Sequence, residues 1–158
     1  MVYQAVLEER LKAEQRQEAI FGAFDGVVSI IGFIFGLLVH HSPESAIAIG
    51  GLGGAIAAGV SMGAGEIEKG DGPWRQRLPV AFAMFIASLI GGLVPVWPFF
   101  IFTRPTAIVV AAIGSLVVAA WIGYQKHKGL AGYVASYAIL IGAAALTLGV
   151  VSLIPQSA

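Results

Sequence analysis

Asp25 is a lone charge inside an apolar run from Ala19 to Val39. An ionised carboxylate at such a depth is costly unless it is paired, hydrated or bound to a cation. At about 100° per residue, Glu14, Glu18 and Asp25 fall within roughly 40° of one another, and Gly32 and Gly36 continue the same face. One side of a single helix is thus acidic at its start and small further along, a surface that can pass a cation and approach a neighbour or a symmetry mate. Solvated Glu14 and Glu18, with Asp25 snorkelling to an interface, is the alternative that needs no cation. A second pattern lies between Gly50 and Glu66, where Gly50, Gly54, Ala58, Met62 and Glu66 form one i, i+4 ridge. It sets the Met62 thioether directly above the Glu66 carboxylate. Soft sulfur beside a hard carboxylate suits Fe²⁺ or a similar first-row ion better than Mg²⁺ or Ca²⁺. A methionine that only fills space is the competing account.

The remaining polar residues offer little catalysis. His40, His41 and His127 sit at the ends of apolar runs and read as exposed, with a proton relay through His40 and His41 left open. Ser29, Ser61, Ser88, Ser115, Ser136 and Thr147 read as helix–helix hydrogen-bonding groups, because no histidine, lysine or second aspartate accompanies them at depth. With no cysteine, the chain has no disulfide, thiolate metal site or cysteine nucleophile. An enzyme, an intramembrane protease included, is not expected, and no bound cofactor is implied.

These residues must be held by elements suited to lipid. Of the 158 residues 58% are hydrophobic and 11% charged, far from soluble-domain composition. Nine basic residues balance nine acidic ones, which removes the electrostatic case for a nucleic-acid partner. Crossing the hydrocarbon core takes roughly 20 apolar residues as a helix. Five stretches meet that length, at about 19–39, 46–65, 78–102, 106–125 and 130–154, and only the first contains a charge. Short turn-rich connections join them, so the sequence predicts an all-α membrane protein with residues 19–158 as one five-span domain. Residues 1–18 mix acidic, basic and apolar residues, lack a signal-peptide pattern and place Val6, Leu7 and Leu11 at helical spacing. They read as an amphipathic cytoplasmic helix continuous with the first span. Eight of the nine basic residues fall on one side of the five spans and Arg104 alone on the other, which predicts a cytoplasmic N-terminus and an outside C-terminus. Pro95 and Pro98 should distort or end the third span near its outer edge.

Taken together, Asp25-Gly26-Val27-Val28, Gly59-Val60-Ser61-Met62-Gly63-Ala64-Gly65-Glu66 and Gly92-Leu93-Val94-Pro95-Val96-Trp97-Pro98 resemble the vacuolar iron transporter family across nearly the whole chain. The resemblance implies a homodimeric carrier that moves Fe²⁺, and often Mn²⁺, out of the cytosol in exchange for protons. It assigns Asp25 and Met62 to a path near the dimer axis, Glu14 and Glu18 to the cytoplasmic extension of the first helix, and Glu66 to the motif glutamate. The chain departs from the pattern between spans two and three, where only residues 67–77 stand in place of the glutamate-rich metal-binding insertion that iron-transporting members commonly carry. Metal capture then falls to Glu14, Glu18, Glu66, Glu68 or a partner.

The expected activity is therefore proton-coupled divalent-metal export, with Asp25, Met62, Glu66, Glu18 and Glu14 as metal-contacting residues. Gly22, Gly26, Gly32 and Gly36 are expected to let the first spans of two copies meet at the two-fold axis. A non-transporting membrane anchor that recruits a soluble iron-storage partner is the alternative from another class, and a passive channel is a third reading. A prokaryotic cell membrane is the expected location, with the vacuolar membrane as the alternative.

Overall fold

Without proline or glycine before Gly22, nothing interrupts helix propagation at the start of the chain. The computed structural model, which describes residues 2–69, 74–127 and 129–154 with the side chains of 2–8, 11, 76, 126 and 127 outside that description, has one helix, α1, over Val2–Val39. Val6, Leu7, Leu11 and His127, singled out above, have side chains outside the described set. At 1.5 Å per residue the 38 residues of α1 extend about 57 Å, well beyond a hydrocarbon core of about 30 Å. Its end is a Schellman turn: His41 takes φ 51°, its amide donates to Leu38 O at 3.1 Å, and the Ser42 amide donates to Leu37 O at 3.1 Å. Pro43, unable to continue a helix from that turn, starts α2 instead.

The other helices are α2 (Glu44–Glu68), α3 (Trp74–Val96), α4 (Pro98–Ile101), α5 (Arg104–His127) and α6 (Leu130–Ser152), and the described residues include no strand. Among the described residues five helices are long and apolar enough to cross a membrane: Lys12–Val39, Glu44–Glu68, Arg77–Val96, Arg104–Gln125 and Leu130–Ser152. The third is shorter than the expected 78–102. Pro98 has no amide hydrogen to give Val94 O, so the helix is interrupted at Trp97 and resumes as the single turn α4, while Pro95 stays within α3.

The bundle is built around α3, which packs along both α1 and α2. Close approach depends on missing side chains. A Cβ on Gly22 would lie 2.9 Å from Met84 O, one on Gly26 would collide with the Ser88 carbonyl, and one on Gly91 with the Ala23 carbonyl. This corrects the expectation that Gly22 and Gly26 serve a symmetry mate, because backbone of α3 fills the space their missing side chains leave. Gly32 and Gly36 face Thr147 and Val151 of α6. One apolar cluster joins Ile30, Ile34, Ile47, Ala55, Val96 and Phe99, and another joins Phe24, Val27, Ile31, Ala119, Ile122 and Leu140. Along α2 the buried line is Gly51, Ala55, Gly59 and Gly63, each one residue beyond the ridge read from the sequence, and it ends at Glu66, which both share. Helix α6 lies against α1 and α5 and is the least covered span, with 11% of its most apolar window buried.

Candidate metal path

The last turn of α2 carries Glu66 into the bundle, where 2% of its side chain remains exposed. Such a carboxylate needs compensation, since burial removes the water that stabilised its charge. Arg77, in the first turn of α3, reaches back eleven residues and donates from Nη1 to Glu66 Oε1 at 2.9 Å and to Glu66 O at 3.2 Å. It neutralises the side chain and satisfies one of the backbone carbonyls that the end of α2 leaves without a helical partner. Lys69, at the end of α2, places Nζ 3.1 Å from Glu18 Oε1 and 3.5 Å from Glu66 Oε2. Glu66 Oε2 is buried and accepts no hydrogen bond, so the longer contact is an ion pair only. The Glu18 carboxylate holds the Lys69 ammonium above its ordinary pKa, so Lys69 stays charged throughout the neutral range.

Glu18 and Glu66 therefore meet across one ammonium, although they lie on different helices. Glu14 is exposed one turn earlier on α1. Asp25 lies two turns beyond Glu18, half-buried, and its carboxylate makes no hydrogen bond or ion pair among the described residues. Met62 is half-buried one turn before Glu66. Among the described residues no three of the histidines, aspartates and glutamates converge as a metal site, so the candidate carboxylates do not form one cage. Sequence reasoning missed Lys69 and Arg77 as partners of these carboxylates. The i, i+3 spacing of Glu66 and Lys69 was the available signal.

Beyond Asp25 the same face of α1 opens into a groove against α6. Ser29, Gly32, Gly36 and His40 line it opposite Thr147 and Val151, enclosing about 570 Å³. Thr147 Oγ1 is turned back to Ala143 O at 2.9 Å, leaving this stretch predominantly apolar. At the end of the bundle away from Glu66, Arg104 Nε donates to Glu44 Oε1 at 3.1 Å and Nη2 donates to Ser42 O, tying α5 to the turn between α1 and α2. His40 and His41 are exposed beside that turn.

Comparison with known proteins adds a family to this geometry. Residues 16–68 match the model of the VIT family, a segment that contains Glu18, Asp25, Met62 and Glu66 and leaves Glu14 outside. The chain is 31% identical to a rice protein (Oryza sativa subsp. japonica) named "Vacuolar iron transporter homolog 2", in a match covering 53% of this chain and 58% of the relative. The chain thus spans little more than half the length of that relative. No solved structure matches the chain.

Proposed function

We propose that this chain, whose first two spans match the VIT family, is a member of that family and carries divalent transition-metal ions across a membrane in exchange for protons. The observation that supports this best is the Asp25 carboxylate, which lies within an apolar span with no counter-charge among the described residues. An ionised carboxylate there needs a cation or a proton, and a group that accepts either one serves an exchanger. Metal and proton then compete for one site, and each vacates it when the other binds.

In this reading the ion is Fe²⁺, with Mn²⁺ as a second substrate. Glu14, Glu18 and Glu66 draw it to the charged end of the bundle, and Asp25 and Met62 receive it deeper, the thioether favouring softer ions over Mg²⁺. The eight basic residues on that side orient it towards the cytosol, so transport is export. The open groove between α1 and α6 is where a second copy would close the path and bring a second Asp25 to the same ion. The membrane is a prokaryotic cell membrane in this reading, and a vacuolar membrane would fit the name of the rice relative.

The experiment is flux in liposomes containing the purified protein. Metal uptake coupled to protons moving the other way supports exchange. Metal flux indifferent to an imposed proton gradient points to a channel, and no flux at all points to an anchor or scaffold.

A further inference from the structure

The two oxygens of Glu66 have different environments. Oε1 is held by Arg77, which is 26% exposed and contacts the Glu66 backbone as well. Oε2 is buried, receives no hydrogen bond and faces the Lys69 ammonium at 3.5 Å, while the same ammonium sits 3.1 Å from Glu18 Oε1. A positive group thus bridges carboxylates of α1 and α2. We propose that Glu18 and Glu66 form a divalent-cation loading site whose resident cation is Lys69, and that an incoming ion loads by displacing the ammonium into water.

Three features fit Lys69 as a removable occupant rather than a brace. Its side chain is 59% exposed, so the ammonium has a solvated position to move to without crossing the bundle. An exposed ion pair is worth at most about 1 kcal/mol, which an ion of twice the charge can overcome at two carboxylates. A lysine is also a compact point charge on a flexible stem, whereas Arg77 holds Glu66 at two points, its Nη1 donating to both the carboxylate and the backbone carbonyl. When the ammonium leaves, Arg77 stays and keeps Oε1 compensated, so the buried carboxylate is never wholly unpaired. Two protein oxygens leave the remaining coordination positions to water, as suits a site at the mouth of a path. Lys69 then sets how much metal is needed to load the protein and rejects monovalent ions, whose single charge gains little over the ammonium it replaces. This inference rests on reading the carboxylates as a cation path.

Mn²⁺ binding to the purified protein in detergent, followed by the loss of the free-ion paramagnetic resonance signal, tests it without transport. Lys69→Met should bind Mn²⁺ about fivefold more tightly than wild type, the order an exposed ion pair is worth, and Lys69→Arg should not. Adding Glu18→Gln to Lys69→Met should remove the gain. Lys12→Met deletes an exposed cation from the same end and reports the general charge effect. Unchanged or weaker binding in Lys69→Met, or an equal gain in Lys12→Met, would overturn the proposal, and an unchanged melting temperature in Lys69→Met certifies its fold. Absence of flux in liposomes overturns the exchange reading instead, while the order of Mn²⁺ affinities still decides the role of Lys69.

Discussion

Asp25 and Glu66 are both carboxylates within apolar helices, yet their surroundings separate them. Glu66 is enclosed and held by Arg77, whereas Asp25 is half-buried with no partner among the described residues. Different consequences follow for mutation. Asp25→Asn keeps the shape and removes the charge, so it should abolish metal flux with the melting temperature unchanged; flux at the wild-type rate would refute its role. Met62→Leu conserves volume and loses only the thioether, so the fold should persist while preference for Fe²⁺ over harder ions weakens, as competition between metals in the flux assay would report. Arg77→Met instead leaves a buried charge to Lys69 alone and should destabilise the fold by roughly 3 kcal/mol. Glu66→Gln in the same chain should recover much of that loss, because it removes the charge that lacks a partner. Thermal unfolding of the single and double variants in detergent measures both effects.

Glycine matters at the element scale through the distance it permits between helix axes. Gly26 faces the Ser88 carbonyl and the Gly92 amide, rigid backbone that cannot rotate away, whereas a Cβ on Gly53 meets nothing within 4 Å. Gly26→Ala must therefore push α1 from α3, at a cost of about 1–3 kcal/mol. Gly53→Ala should be neutral or slightly stabilising, since alanine is the better helix former. Melting temperatures of the two variants check the contrast, and equal effects would mean that α1 and α3 do not pack at Gly26. The break at Trp97 belongs to the same scale: Pro98 ends α3, whereas Pro79 and Pro95, which lack the same donor, are accommodated within it.

For the whole molecule, the two ends of the bundle are closed differently. Arg104 ties α5 to the turn at Ser42 and Glu44, while Lys69 and Arg77 join α1, α2 and α3 around Glu18 and Glu66. The groove between α1 and α6 remains open along much of a span. If a second copy closes it, Ser29→Cys, exposed on the groove wall, should give a disulfide-linked dimer on mild oxidation. Gly32 is less suited to that test because Thr147 Oγ1 lies 3.0 Å from where its Cβ would stand. Absence of a Ser29→Cys dimer would count against closure by a second copy. Exchange makes a further prediction: acidifying only the far compartment of a liposome should accelerate metal arrival there, because protons displace metal from the carboxylates that carried it. A metal flux unaltered by that gradient would leave the channel reading.

The five apolar lengths, those around Asp25, Met62 and Ser88 and the two that follow, are enough to give five spans, because a helix that must satisfy its own backbone in lipid needs a fixed number of apolar residues. Residue type singles out Asp25, a charge within such a run, and helical period singles out Met62 and Glu66, because the i, i+4 spacing sets a thioether above a carboxylate. Which helix lies against which is not legible in the same way. Gly22 and Gly26 could have served a second copy as readily as α3, because lipid and bundle interior are both apolar and the pattern that marks inside from outside in water is lost. The pairing of Glu66 with Arg77 and of Glu18 with Lys69 depended on that choice. Only tertiary packing brings the first turn of α3 back over the end of α2, and the acidic face of α1 beside both, so that charges distant in the chain share one environment.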